Sequence, residues 1–216
     1  MACHIGSQLT STQPFVDALA RLRHLARQLE AEGIALRHVD VGGGLGITYH
    51  DERPPTAQAY AGAVLRALEG TAYRLLLEPG RAVVGGAGVL LTRVEYLKRE
   101  HEKGFAIVDA GMNDLVRPAL YSAWHDIEPV VLNDAPAAVY DVVGPVCETG
   151  DFLGHERPLN VAAGDLLAVR AAGAYGFAMS SNYNTRPRPA EIMVDGDRAY
   201  EIRARETLED LMRGEQ

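Results

Sequence analysis

The chain has 216 residues, of which 47% are hydrophobic and 23% charged, and its formal net charge is −8. This length allows one ordinary domain or two small ones, and the hydrophobic share is too high for a disordered protein. The acidic balance argues against nucleic acid or an anionic membrane as the main partner, because both favour clusters of Lys and Arg. With two cysteines the chain cannot form a disulfide scaffold.

The sequence also bears on where the protein is found. No apolar run approaches the roughly 20 residues that a membrane helix needs. The first residues, MACHIGSQ, lack the basic and apolar regions of a signal peptide. We therefore expect a cytoplasmic protein that binds neither membranes nor nucleic acid. Lysine is rare and occurs only as Lys98 and Lys103.

The first third of the chain alternates between predicted strands and helices. The end of a strand is predicted at residues 2–6. A helix follows Ser11-Thr12, which offer cap candidates, with Pro14 in its first turn and Gly33 as its stop. Its apolar residues recur at steps of three and four and are Phe15, Leu19, Leu22, Ala26 and Leu29.

Two further strands and one helix continue this alternation. Leu36–Val41 is predicted as a buried strand that ends in Gly42–Gly44, and Tyr73–Leu77 as the next strand. Between them a helix begins near Thr56 and ends at Gly70. This β-α-β-α-β order implies parallel strands joined by helical crossovers.

The rest of the chain is predicted to be rich in strands. These strands are Val89–Tyr96, Phe105–Asp109, Val139–Val143, Leu166–Ala171, and a hairpin of Glu191–Val194 and Ala199–Arg203 around the turn Asp195-Gly196. A short helix is predicted at Glu206–Met212. We place a boundary at Gly85–Gly88, which divides the chain into an α/β domain, residues 1–86, and a β-rich domain, residues 87–216.

The first domain contains too few elements to be closed by itself. A parallel sheet buries both faces, and three strands with two helices cannot cover one another. The domain is either an unusually small open sheet or the back portion of a larger β/α barrel. The second interpretation is favoured, because the chain opens inside a predicted strand.

Three unusual clusters follow the predicted parallel strands: His4, Gly42–Gly44 and Glu78–Arg81. The carboxyl ends of such strands share one edge, where β/α folds build their sites. The glycine run lacks the third glycine of a dinucleotide fingerprint and the Lys-Ser/Thr of a phosphate-loop NTPase. Its N–H groups could approach a phosphate, or it could be a tight turn. His4 alone could be a structural histidine, and Glu78 could form an internal salt bridge with Arg81.

Further candidates lie in the β-rich half. Val146–Asp151 joins a thiol and two carboxylates in a turn-rich stretch, and Arg117–Tyr121 is a second unusual patch. Tyr175 stands in a glycine-rich turn, so its hydroxyl group could reach a ligand. The structural alternatives are a small buried hydrophobic side chain for Cys147 and an ordinary turn tyrosine for Tyr175.

Taken together, these motifs resemble the diaminopimelate decarboxylase family of pyridoxal-phosphate enzymes, which has the alanine-racemase/ornithine-decarboxylase fold type. The motifs are Cys3–Gln8, Asp40–Gly46, Glu78–Arg81, Asp109–Leu115, Arg117–Tyr121, Cys147–Asp151 and Ala174–Asn184. They span nearly the whole chain in order. The resemblance implies the C-terminal part of a pyridoxal-phosphate-binding β/α (TIM-like) barrel, followed by a β-rich domain of Greek-key or β-barrel type.

The resemblance also implies how pyridoxal 5′-phosphate is bound. His4 would stack on the pyridine ring with Ser7 beside the cofactor. Glu78 would face the ring nitrogen and keep it protonated. The remaining cofactor contacts would come from the backbone N–H groups of Gly43 and Gly44 and from Gly80, Arg81 and Tyr175.

For the substrate, the resemblance implies meso-2,6-diaminopimelate, decarboxylated to L-lysine and CO₂ in lysine biosynthesis. Glu148 would bind the distal ammonium group, and Cys147 would return a proton after CO₂ leaves. The distal carboxylate would be bound by Arg81, Arg117 and Tyr121, with Tyr175 nearby. Cys147 and Glu148 would enter the neighbouring subunit's site, so a complete site would require a homodimer.

One departure limits the resemblance. The family binds its cofactor through a Schiff-base lysine on an early barrel strand, whereas Lys98 and Lys103 lie in no matching motif. We therefore expect a fragment that is inactive by itself. The alternatives are a related pyridoxal-phosphate decarboxylase of carboxynorspermidine, ornithine or arginine, or a short non-catalytic protein that binds the cofactor or a partner.

Overall fold

The computed structural model describes residues 1–100, 103–132 and 136–215. The chain divides into two compact units, Met1–Ala87 and Gly88–Gln216. Each unit buries an apolar core of its own.

The first unit combines helices with short parallel strands. Its elements are α1 (Gln13–Ala31), β1 (His38–Asp40), α2 (Ala57–Ala67), β2 (Arg74–Leu76) and α3 (Gly80–Val84). β1 and β2 pair in parallel, and Ala2 forms a single parallel bridge with Asp40. The predicted order with parallel strands is confirmed, except that the strand end expected at residues 2–6 is reduced to this one bridge.

The two long helices begin and end close to the residues that the sequence indicates, although Thr12 forms no side-chain capping bond and α2 ends at Ala67, three residues before Gly70. Thr56 precedes α2, and its side-chain oxygen accepts a hydrogen bond from Ala59 N at 3.1 Å, which satisfies a free N–H group of the first turn. α1 carries Pro14 in its first turn. It stops before Gly33, whose φ of +85° favours glycine.

The core of the first unit joins both helices to β1. The rings of Phe15 and Tyr60 meet edge to face, with centroids 4.8 Å apart and an interplanar angle of 73°. The buried cluster consists of Phe15, Leu19, Leu22, Val39, Val41, Leu45, Tyr60, Val64 and Leu68. Three of the predicted apolar positions of α1 belong to this cluster, Ala26 is also buried, and Leu29 is only half-buried.

The second unit is built on a six-stranded mixed sheet. Its strands are β3 (Leu90–Glu100), β4 (Lys103–Val108), β5 (Ile127–Pro129), β6 (Ala138–Val143), β7 (Phe152–Leu159) and β8 (Leu166–Val169). The spatial order is β5-β8-β3-β4-β6-β7, and every pair is antiparallel except β4 with β6. The edge strands β5 and β7 also lie next to each other, so the sheet is nearly closed. The β-rich second half is therefore confirmed.

Two of these strands, β5 and β7, have no strand-like sequence pattern. β5 has only three residues and ends at Pro129. β7 includes the charged run His155–Arg157 and Pro158, and Glu156 has a φ of +53°. Proline removes a donor from the ladder and a left-handed residue interrupts the alternation of side chains, so both features belong on edge strands.

A separate hairpin of β9 (Glu191–Asp195) and β10 (Arg198–Arg203) confirms the turn predicted at Asp195-Gly196. Two short helices, α4 (Arg117–Tyr121) and α5 (Leu208–Leu211), complete the second unit. The first turn of α5 is closed by a capping box between the two residues Thr207 and Asp210. Within the described ranges, no helix has the length and apolar character needed to cross a membrane.

Two leucine substitutions test how much the core of the sheet contributes to the free energy of unfolding. Leu153 lies on β7, is 0% exposed and belongs to the buried cluster of the second unit. Leu153→Ala is expected to lower the free energy of unfolding by about 2–5 kcal/mol, because it removes buried methyl groups and leaves a cavity. Leu132 is 80% exposed, so Leu132→Ala should change this energy by less than about 0.5 kcal/mol. Denaturant unfolding measures both variants, and equal losses would contradict the assigned core.

Candidate functional site

Three segments that follow the parallel strands of the first unit meet at one edge. Gly43 N donates a hydrogen bond to Nδ1 of His4 at 3.2 Å. Glu78 N donates to the carbonyl oxygen of Gly42 at 2.8 Å. The side chains of His4 and Glu78 are both exposed. The structure thus brings together the three clusters that follow the predicted strands.

The glycine run allows these segments to approach closely. A Cβ atom on Gly43 would overlap the carbonyl oxygen of Glu78, and one on Gly44 would overlap that of Gly6. Gly44 also has a φ of +105°, which other residues rarely adopt. Among the described residues, no group accepts a hydrogen bond from Gly44 N. The run is therefore required for packing and leaves one backbone donor at the edge.

Arg81, which lies in α3, is held by two hydroxyl groups. Its Nη2 donates to Ser7 Oγ at 3.1 Å, and its Nη1 donates to the hydroxyl group of Tyr49. The guanidinium carbon lies 5.5 Å from the centroid of the Tyr49 ring, and Tyr49 is only 8% exposed. No described side chain contacts the carboxylate of Glu78, so the internal salt bridge considered from the sequence is not observed. Tyr49 is absent from the predicted site, because no local motif joins it to Arg81.

In the second unit, a buried carboxylate shapes the turn that carries Cys147 and Glu148. Asp151 is 4% exposed; its Oδ1 accepts from Met112 N at 2.6 Å and its Oδ2 from Val146 N at 2.5 Å. Both Cys147 and Glu148 are exposed. The alternative in which Cys147 is a buried hydrophobic side chain is therefore wrong, and its thiol lies at the surface.

Arg117, at the start of α4, is buried and oriented by a histidine. Its Nη1 donates to Nε2 of His125 at 2.7 Å, and Nδ1 of His125 lies 2.8 Å from the carbonyl oxygen of Arg170. A guanidinium group can only donate, so His125 is neutral, accepts through Nε2 and carries its proton on Nδ1. His125 is 0% exposed and Arg117 is 7% exposed. His125 is a positioning residue that no sequence motif indicates.

The turn with Glu148 lies beside α4. A Cβ atom on Gly150 would be 3.8 Å from the Cβ of Ala119, which is ordinary van der Waals contact. Tyr121, at the end of α4, is 61% exposed. The second unit therefore brings the predicted patch at residues 117–121 next to the predicted patch at residues 146–151.

Two further tyrosines lie in the segment that precedes the hairpin. Tyr175 is 43% exposed and has a φ of +62°. Tyr183, which is not among the predicted site residues, donates a hydrogen bond through its hydroxyl group to Oε1 of Glu148. This bond, together with the negative charge of Glu148, raises the pKa of Tyr183 because both favour the protonated phenol.

The chain resembles known proteins in both sequence and structure. The chain matches the family described as "Pyridoxal-dependent decarboxylase, C-terminal sheet domain" over residues 16–173, and it belongs to this family. It is 60% identical to a diaminopimelate decarboxylase from Pseudomonas aeruginosa, over 99% of this chain and 51% of that protein. The chain spans about half the length of the curated relatives it matches. The resemblance noted in the motifs is therefore confirmed.

Solved structures show the same likeness. Diaminopimelate decarboxylase from Helicobacter pylori, complexed with L-lysine, is 43% identical with a TM-score of 0.92, over 98% of this chain and 53% of that one. The enzyme of the same name from M. jannaschii, in co-complex with L-lysine, is 38% identical with a TM-score of 0.95, over 100% of this chain and 51% of that one.

The edge of the first unit fits the pyridoxal phosphate that this family uses. It presents the anchored guanidinium of Arg81, the N–H group of Gly44 and the exposed carboxylate of Glu78, which has no partner among the described side chains. A phosphate is bound by cations and backbone N–H groups. A pyridine nitrogen is kept protonated by a carboxylate. These groups therefore match both the phosphate and the pyridine nitrogen of the cofactor.

Replacing the buried carboxylate tests how the Cys147 turn is held. In Asp151→Asn one acceptor oxygen becomes an NH₂ group that faces a backbone N–H, so about 1–3 kcal/mol of unfolding free energy should be lost. Amide hydrogen exchange should also become faster in residues 144–151. Asp195→Asn, an exposed change in the hairpin turn, is the matched control and should leave both quantities unchanged. Equal exchange in the two variants would show that Asp151 does not hold the turn.

Proposed function

We propose that the chain is part of a pyridoxal-phosphate-dependent decarboxylase that converts meso-2,6-diaminopimelate to L-lysine and CO₂. The 60% identity to the Pseudomonas aeruginosa diaminopimelate decarboxylase supports this reaction. The observation that carries it is the oriented guanidinium of Arg117, a group that binds a carboxylate. Together with a Glu148 carboxylate from the neighbouring subunit, it would suit a substrate whose far end carries both a carboxylate and an ammonium group.

The cofactor is assigned to the edge of the first unit. Pyridoxal phosphate, when bound, withdraws electrons from the carbon that loses CO₂. Glu78 would hold a proton on the ring nitrogen and His4 would stack on the ring. The phosphate and its surroundings would be bound by Ser7, Gly43, Gly44, Gly80, Arg81 and Tyr175. Ser7 and Arg81 are already hydrogen-bonded to each other, and Gly43 N would exchange its bond to His4 for one to the phosphate.

The substrate's far end is assigned to residues with fixed or exposed polar groups. Arg117, Arg81 and Tyr121 would bind the distal carboxylate, and Glu148 the distal ammonium group. The thiol of Cys147 would donate a proton to the substrate's α-carbon after CO₂ has left. A surface position suits this role, because a thiol that delivers a proton must reach the reacting carbon.

Covalent attachment of the cofactor is not assigned to this chain. Its two lysines are Lys98 in β3 and Lys103 at the start of β4, and the first unit contains none. We therefore propose that the chain alone is inactive, and that a lysine from outside these 216 residues completes the site. Residues 1–86 would be the C-terminal part of a β/α barrel, and residues 87–216 the β-rich domain.

We also assign the active form to a cytoplasmic homodimer with shared sites. Cys147 and Glu148 would enter the neighbouring subunit's site, and their exposed turn, stiffened by Asp151, supports that arrangement. The partner in this proposal is a second copy of the protein.

A fusion experiment tests the reaction. The chain alone, with pyridoxal phosphate and meso-diaminopimelate, is expected to release no CO₂. A fusion to the part of the Pseudomonas aeruginosa relative that the chain does not match should release CO₂ and form L-lysine, because it supplies the missing lysine. Radiometric CO₂ release and amino-acid chromatography measure both.

Each arm of this experiment has an outcome that would contradict the proposal. Turnover by the chain alone would contradict the requirement for an outside lysine. A soluble fusion that binds pyridoxal phosphate covalently but leaves meso-diaminopimelate unchanged would refute the proposed reaction.

Mixed dimers test the shared site. Glu78→Ala and Cys147→Ala would each inactivate the fusion when expressed alone. Co-expression should restore about 25% of the unsubstituted activity, since half of the dimers are mixed and each mixed dimer has one intact site of two. Co-expression of Glu78→Ala with Arg81→Ala, both on the first unit, is the matched control and should restore none. If the co-expressed variants showed no more activity than the two single variants added together, the active site would not be shared between subunits.

A further inference from the structure

Glu148 is an exposed residue with one fixed contact. Its Oε1 accepts a hydrogen bond from the hydroxyl group of Tyr183, whereas its Oε2 has no hydrogen-bond partner among the described residues. An exposed glutamate ordinarily samples several rotamers, and ordering it has an entropic cost. The contact with Tyr183 therefore selects one orientation and leaves the second oxygen available.

Tyr183 can impose this orientation because its own segment is anchored. Ser181 N donates to the carbonyl oxygen of Asn113 at 2.9 Å, and Asn182 Nδ2 donates to Oε2 of Glu206 at 2.6 Å. Asn113 is only 1% exposed, so this anchor belongs to the buried part of the unit.

The chain after Tyr183 is anchored as well. Arg186 donates through Nε to Oδ1 of Asn113 at 2.9 Å and through Nη2 to the carbonyl oxygen of Asp109 at 2.6 Å. Arg188 N donates to Oε2 of Glu206 at 2.8 Å, and this bond holds the pKa of Glu206 below its ordinary value. The segment with Tyr183 is thus fixed on both sides of the phenol.

Backbone strain is concentrated next to the phenol. Asn184 and Thr185 have φ values of +60° and +57°. This conformation is common for asparagine, but it is a genuine outlier for a β-branched residue such as threonine. Strain of this kind persists only where the surroundings determine it, and it clusters at functional sites.

Stability does not explain the contact. Tyr183 is 48% exposed and Glu148 is also exposed, so water would satisfy both groups in its absence. A hydrogen bond between exposed groups contributes little to folding. An anchored and strained segment that delivers a phenol to an exposed carboxylate is better explained by control of that carboxylate.

We propose that Tyr183 is a positioning residue that orients Glu148 so that Oε2 accepts the distal ammonium group of the substrate. The inference rests on the proposed function and deepens it, because it assigns part of the preference for a diamino substrate to a phenol that does not touch the substrate. One carboxylate oxygen is held by the protein and the other is directed to the ligand.

The protonation state of Tyr183 agrees with this role. Hydrogen bonding to Glu148 raises the pKa of Tyr183 above its ordinary value. The phenol therefore remains a donor throughout the neutral range. The contact is complete below the pKa of a free tyrosine and is lost as the pH rises through the raised pKa.

Steady-state kinetics of the fusion protein test the inference. Tyr183→Phe keeps the ring and removes the donor. KM for meso-diaminopimelate should rise about five- to tenfold with kcat changed less than twofold, as expected when binding must order a Glu148 side chain that Tyr183 no longer holds. The inhibition constant of 2-aminopimelate, which keeps the far carboxylate but lacks the second ammonium group, should stay the same. Tyr200→Phe removes a phenol of similar exposure, 42%, and should leave KM unchanged.

The pattern of these constants separates positioning from a structural role. An unchanged KM in Tyr183→Phe would overturn the inference. A parallel rise of KM and of the 2-aminopimelate inhibition constant would also overturn it, because the effect would not depend on the ammonium group. An unsubstituted fusion that holds the cofactor without turnover would instead refute the proposed function.

A spectroscopic titration tests the pair without activity. The ultraviolet absorbance of the phenolates in the 216-residue chain, compared with that of Tyr183→Phe, isolates the titration of Tyr183. Glu148→Gln should move this titration towards the ordinary tyrosine pKa, because the negative charge that favours the protonated phenol is removed. If Glu148→Gln does not change the pKa of Tyr183, the hydrogen-bonded pair does not exist in solution.

Discussion

The close contact between the glycine run and its neighbouring strand ends organises the first unit. Gly43 lies against the carbonyl group of Glu78, and Gly44 against that of Gly6, with no room for a Cβ atom at either place. This approach lets Gly43 N reach His4 and lets Ser7 reach Arg81. A residue with a side chain would separate the strand ends, and with them the groups assigned to the cofactor.

The second unit uses buried polar groups to hold exposed ones. Asp151 accepts two backbone N–H groups beneath the turn that carries Cys147 and Glu148. Buried His125 orients Arg117, and the segment with Tyr183 is tied to buried Asn113. Buried polar groups are costly unless they are hydrogen-bonded, so these networks have few alternative arrangements. The side chains assigned to the substrate therefore sit on rigid supports.

The parts of the fold that follow local patterns can be predicted. The helices α1 and α2 are evident from the spacing of apolar residues and from Thr56 and Gly33. The strands β5 and β7 are not, because Pro129 and the charged run before Pro158 contradict strand propensity. These strands form because neighbouring strands supply their hydrogen bonds at the edges of the nearly closed sheet. Tertiary pairing overrides local preference there.

The amino-acid sequence alone establishes the family, the alternation of strands and helices and the residue types of the site, since these depend on motifs and short-range spacing. The supports of the site are decided by tertiary structure. Arg81 meets Tyr49 across 32 residues, and Glu148 meets Tyr183 across 35. Even Arg117 and His125, only 8 residues apart, lie in different parts of the fold, one in α4 and the other in the connection before β5, so no periodicity within one element predicts their contact. Such contacts form when separate elements pack together, and no local pattern in the chain encodes which side chains will meet.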